Sequence, residues 1–288
     1  MGSAWTKGEA VVESAAWAPP QMSGSAVGGP AITSGDGSSR HPLLRAEGIA
    51  KRFGNVRALA GVSLSIYPGE IVALVGDNGA GKSCFVSILS GVRRPDEGQL
   101  YIDGEPVTLS TPAAAHRYGI VTVFQDLALV NERDVAANIF LGRELTRFGG
   151  LVVDRAQMLR DAKAIIRRLQ VGLPDVRTPV KSLSGGQRQA VAVARAIVRG
   201  SARMVIMDEP TAALGVRESG KVNDLIRALK GEGRTVLLIS HNVEHVFNLA
   251  DRVAVFRLGH CIADLKISGT THDEVVGLIV RGKQQLIS

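Results

Sequence analysis

Cysteine is scarce in this chain: Cys84 and Cys261 are the only two among 288 residues. Two thiols do not make a disulfide framework, and a reducing compartment suits them. Aromatic residues are also few, at 4%, so the 45% hydrophobic content must build its core from Ala, Val, Leu and Ile. No apolar run is long enough to cross a bilayer. The N-terminus shows no basic region followed by an apolar core, the pattern of a secretory leader. Its first residues, MGSAWT, fit only the loose myristoylation pattern at Gly2 and Thr6. Internal repeats and sustained heptads are absent, which excludes solenoids and coiled coils. What remains is a basic chain of formal net charge +7. That balance suits a nucleotide, a nucleic acid or an anionic membrane surface, and equally a plain solvated exterior.

Residues 1–42 are rich in Gly, Ser, Ala and Pro, and are expected to form a disordered tail. The tail has no basic excess. From residue 43 to 285 a single folded domain is expected. LLRAEGIAKRF, VSLSIY and QLYIDG read as strands. IVALV (71–75), IVTVF (120–124), MVIM (204–207) and TVLLI (235–239) are short continuous apolar runs, as buried parallel strands require. SCFVSILSG, VRESGKVNDLIRALK, NVEHVFNLA and DEVVGLIV read as helices, and RVAVFR and CIADLKI as further strands. Alternating strands and helices predict an α/β fold on a parallel sheet. Residues of about 126–186 break the alternation. They read as helical, with no clear strand, and so as an insertion.

The chemistry concentrates at strand ends. GDNGAGKS runs from Gly76 through Asp77, Asn78, Gly79, Ala80, Gly81 and Lys82 to Ser83. It fits the phosphate-loop pattern and lies between a predicted strand and a predicted helix. Its backbone N–H groups suit phosphate oxygens, Lys82 the β and γ phosphates, and Ser83 a Mg²⁺ ion. MVIMDEP ends in two carboxylates. Asp208 suits Mg²⁺, and Glu209 an attacking water. Gln125, after IVTVF, suits Mg²⁺ or water, and His241, after TVLLIS, a γ-phosphate. Phe53 offers a ring to a base, although a core role fits a lone Phe equally. HNVEH (241–245) matches a zinc pattern, but His241 stands at a strand end, not on a helix with His245. LSGGQ (183–187) is a second glycine-rich helix start, suited to another phosphate.

Taken together and in this order, these segments resemble the ATP-binding subunit of an ABC transporter. The likeness covers about residues 43–281. It implies a P-loop ATPase core, an antiparallel β subdomain and an inserted α-helical subdomain. It implies ATP and Mg²⁺ as cofactors, with Lys82, Gln125, Glu209 and His241 catalytic and Ser83, Gln125 and Asp208 on the metal. Phe53, residues 76–84 and the signature Ser184, Gly185, Gly186 and Gln187 would contact nucleotide, the signature from a second, head-to-tail copy. Two positions depart from the family pattern: Cys84 replaces the usual Thr, and Gly215 stands where many members carry Asp. GDNGAGKS, QDLALVNERDVAANIFLGRE and DEPTAALGVRES resemble single-domain bacterial importers of monosaccharides. Such a subunit would sit on the cytoplasmic face of the membrane, bound to a separate permease and served by a sugar-binding protein, without nucleic acid. Other readings stay open: a different importer or an exporter, a soluble ABC ATPase, or a P-loop kinase. Cys84, close to a helix N-terminus, is expected to be a reactive thiol or else an inert buried one.

Overall fold

The computed structural model describes residues 41–198, 202–212 and 214–282. Residues 1–40 of the expected tail, and residues 283–285 of the expected domain, lie outside the described residues. The chain opens with β1 (Leu44–Phe53), β2 (Val56–Ile66) and β3 (Ile71–Val75), followed by α1 (Lys82–Leu89). Then come β4 (Glu97–Ile102), β5 (Glu105–Val107), α2 (Pro112–Arg117) and β6 (Ile120–Val123). The inserted stretch holds α3 (Val135–Ile139), β7 (Thr146–Arg147), β8 (Val152–Val153) and α4 (Arg155–Arg168), and α5 (Gly185–Val198) starts at its end. Next are β9 (Met204–Asp208), α6 (Val216–Gly231), β10 (Thr235–Ile239) and α7 (Val243–Phe247). The last elements are β11 (Arg252–Arg257), β12 (His260–Lys266) and α8 (His272–Arg281).

Two sheets carry the fold. One is antiparallel, in the order β2-β1-β4-β5. The other has six strands in the order β12-β11-β3-β10-β9-β6. Five of these are parallel, and β12 returns antiparallel along β11 as an edge hairpin. Of the apolar runs read from the sequence, β3, β9 and β10 are inner strands and β6 closes one edge of the sheet. Ile71, Ala73 and Val75 of β3 pack with α5, α6 and the inserted helices. Val72 and Leu74 pack with α1 and the antiparallel sheet, where Phe85 and Phe256 meet at a ring separation of 5.4 Å. Each such fully buried large side chain contributes about 1.5–3 kcal/mol. The expected α/β core, antiparallel subdomain and inserted helices are all present.

The insertion differs from expectation in one respect, because it contains strands. β7 and β8 pair as a two-residue hairpin around Phe148–Gly150, with Phe148 and both glycines at positive φ. Strands of two residues are too short to show an alternating pattern, which is why the sequence gives no sign of them. α3 also stops at Ile139, although DVAANIFLG (134–142) reads as one helical run, with Gly142 left-handed just beyond. Asp134 and Asp154 cap α3 and α4 through their side chains. Met158, Ala162 and Ile166, four residues apart, turn one stripe of α4 into the core.

Candidate active site

Four predicted motifs stand at the carboxyl ends of four neighbouring parallel strands. The loop 76–83 follows β3, His241 follows β10, Asp208 ends β9 and Gln125 follows β6. The ends are level, since Ile239 pairs with both Leu74 and Asp208, and Val123 with Met207. In open α/β sheets, the crevice beyond such strand ends is where ligands bind.

The loop is built by close approach to its neighbours. Gly76 has φ +144°, and a Cβ there would lie 2.1 Å from the Phe256 carbonyl oxygen. Gly81 has φ +104°, and a Cβ there would lie 2.7 Å from the Ala58 oxygen. The β11–β12 turn thus backs the loop, and Gly259 N–H donates to the Ala80 oxygen at 3.1 Å. No side chain caps the start of α1, which leaves its first N–H groups suited to an anion. Lys82 is buried, and its ammonium donates to the oxygens of Gly76 at 2.7 Å and Asp77 at 3.0 Å. Burial lowers its pKa, while Glu209, Asp77 and Asp208 oppose that shift. Burial likewise raises Asp208, reinforced by its neighbour Glu209 and opposed by Lys82. The ammonium and the two carboxyls therefore form one electrostatic cluster.

Glu209 is held in an unusual backbone state, with φ +49°. For a residue other than glycine this costs about 1–3 kcal/mol and persists only where surroundings enforce it. Here its N–H donates to the Ile239 oxygen, and its own oxygen accepts from Ala212 N–H, both at 3.1 Å. The turn delivers its carboxylate to His241, with Nδ1 2.8 Å from Oε2. The sequence assigned His241 to a phosphate, and the histidine lies against the second carboxylate. His245 faces elsewhere: it is buried, and its Nε2 meets Asn223. Among the described residues, no group of three His, Cys, Asp or Glu is placed to hold a metal ion, and the zinc pattern is not realised. Ser83, Gln125 and Asp208 instead offer a hydroxyl, an amide and a carboxylate, the hard oxygen set that Mg²⁺ takes.

Phe53 is not a core residue. It ends β1 with 41% of its surface exposed. Arg93 lies 4.8 Å and Lys51 6.0 Å from the ring centroid. Cys84 lies in the first turn of α1. It is half-buried against the antiparallel-sheet core, and burial pushes its thiol pKa up against the pull of Arg93 and Lys51.

The signature residues are not joined to the phosphate loop. Gly185 and Gly186 lie against Leu214 and Glu218. Ser184 and Gln187 form a reciprocal cap on α5: Ser184 N–H donates to Gln187 Oε1 at 3.0 Å, and Gln187 N–H to Ser184 Oγ at 3.4 Å. Gln187 Nε2 donates to the Gly172 oxygen at 2.8 Å. The Gln187 side chain, expected at a nucleotide, is thus engaged within its own chain. Gly215 is the N-cap of α6, with nothing within 4 Å of where a Cβ would stand, so its departure from Asp has no steric cause. One contact had no signal in the sequence. Arg195 of α5 donates to the oxygens of Leu127 at 2.5 Å and Ala128 at 2.7 Å, in the segment after Gln125.

Known proteins share this arrangement. Residues 59–212 match the family model described as ABC transporter. The chain is 43% identical to the fructose import ATP-binding protein FrcA of Rhizobium meliloti, over 85% of this chain and 96% of that one. It is 46% identical to the xylose/arabinose import ATP-binding protein XylG of Sulfolobus acidocaldarius, over 81% and 92%. Its fold matches the crystal structure of the ADP conformation of MJ1267, an ATP-binding cassette of an ABC transporter. That TM-score is 0.68 at 28% identity, covering 84% of this chain and 96% of that one. With the phosphate loop, the carboxylate pair and the signature helix in place, this chain belongs to the ABC transporter family.

Proposed function

We propose that the chain is the ATP-hydrolysing subunit of a monosaccharide importer, bound to a separate permease at the cytoplasmic face of the membrane. One observation carries the reading: the phosphate loop, both carboxylates, Gln125 and His241 share one edge of one sheet. The two relatives above, named for fructose and for xylose/arabinose import, match nearly end to end, which supports a single cassette and a sugar substrate. No helix among the described residues is long and apolar enough to cross a membrane.

The roles follow from position. The loop amides and Lys82 would hold the phosphates. Ser83, Asp208 and Gln125 would hold Mg²⁺, which supplies charge neutralisation at the phosphate oxygens. Glu209 orients and deprotonates the attacking water, and His241 fixes that carboxylate. Ser184 and the Gly185–Gly186 amides serve the nucleotide of a second copy, because their contacts within the chain run to α6 and not to the loop. Phe53 stacks on the base. Its replacement by Ala is expected to raise the KM for ATP roughly tenfold with kcat unchanged, since base stacking is worth ~1–3 kcal/mol. Steady-state kinetics check this, and an unchanged KM removes Phe53 from the site.

Reconstitution with the permease and binding protein tests the whole reading. Wild-type vesicles are expected to take up labelled xylose, ribose or fructose only with ATP. Lys82→Ala and Ser184→Arg should each abolish uptake, and a mixture of the two should regain it, because one composite site is then intact. Absence of wild-type uptake for every monosaccharide overturns the sugar assignment. A mixture that stays inactive, beside an active wild type, overturns the shared site.

A further inference from the structure

The hairpin of the inserted subdomain exposes what a folded protein ordinarily hides. Phe148 is 77% and Leu151 85% exposed, and Val152 and Val153 are each about half exposed. The four make one short, exposed apolar turn. Isolated exposed apolar side chains need no explanation, but a cluster on one short turn marks a contact surface.

Charge says what that surface meets. From Arg143 to Arg168 the chain carries seven basic and three acidic side chains, a net +4 within a total of +7. Part of this charge is spent locally: Arg147 pairs with Asp154, Arg155 with Asp134 and Arg168 with Glu232. Arg160, Lys163 and Arg167 are exposed on the face of α4 opposite the buried Met158–Ala162–Ile166 stripe. An apolar tip continued by a basic helical face is the composition of an interfacial membrane contact. The apolar side chains enter the headgroup boundary and the cations meet anionic lipid.

We infer that the hairpin Thr146–Val153, with the basic face of α4, binds the surface of an anionic bilayer directly. The subunit would then have a lipid contact of its own, separate from its attachment to a permease. This goes beyond the proposed function and needs neither nucleotide nor permease.

Vesicle co-sedimentation of the full chain tests it, with phosphatidylglycerol-containing vesicles against pure phosphatidylcholine. The wild type is expected to pellet with the anionic vesicles and to be released by salt. The double variant Phe148→Ser, Leu151→Ser and, separately, Arg160→Glu with Lys163→Glu should each weaken binding about tenfold or more. ATP hydrolysis in solution should be unchanged in both, which confirms that they are folded. Equal pelleting of wild type and variants, or wild-type binding without preference for anionic lipid, overturns the proposal. So does a serine variant that binds vesicles normally but no longer co-purifies with the permease in detergent, since the hairpin is then a protein contact.

Discussion

Changing Glu209 to Gln is expected to lower ATP turnover at least about a hundredfold while nucleotide affinity stays within a few-fold of wild type. The substitution keeps the shape of the side chain and an oxygen that accepts from His241, 2.8 Å away in the native chain. It removes the negative charge and the capacity to take a proton from water. Removing a carboxylate also relieves Asp208, whose pKa is raised by burial and then by Glu209. Asp208 is therefore no worse placed to stay ionised in the variant, and the expected loss is one of chemistry. Single-turnover hydrolysis and a nucleotide titration separate the two effects. Hydrolysis within about tenfold of wild type would take the general-base role from Glu209.

The other large effect is structural. Gly76→Ala places a methyl group 2.1 Å from the Phe256 oxygen, at a φ of +144°. Neither atom can give way cheaply, because Phe256 is wholly buried in β11 and packs on Phe85 of α1. Backbone strain and overpacking together should cost about 3 kcal/mol or more. For a chain of this size, that corresponds to a fall in Tm of roughly 10 °C. Nucleotide binding should be lost with it, since the loop must move off its backing turn. Thermal unfolding and a fluorescent-nucleotide titration measure both. A Tm within two or three degrees of wild type, at about 1 kcal/mol per few degrees, would show that the loop tolerates the displacement.

The sequence disclosed those parts of the molecule that repeat a local rule. Buried parallel strands are short apolar runs, so β3, β6, β9 and β10 were visible, and with them the strand ends on which the site stands. The phosphate loop was visible because its glycines are dictated by backbone geometry within eight residues. Other features depend on distant residues and left no local trace. That His241 meets Glu209 follows from the pairing of β9 with β10 and from a left-handed turn at Glu209. That Cys84 is half-buried follows from the core of the antiparallel sheet packed against it. The reciprocal cap was written plainly as Ser184 and Gln187, three residues apart. The same letters also suit a nucleotide role. α2 was not read, although Thr111 caps it and Pro112 opens it.

The helix α5 has a mechanical consequence. It is a rod with Ser184 at one end and Arg195, bonded to the oxygens of Leu127 and Ala128, near the other. At 1.5 Å per residue these points are separated by about 16 Å. A tilt of about ten degrees about either end moves the other by about 3 Å, the width of a hydrogen bond. A load applied at the glycine-rich end is thus felt as torque by the segment that carries Gln125.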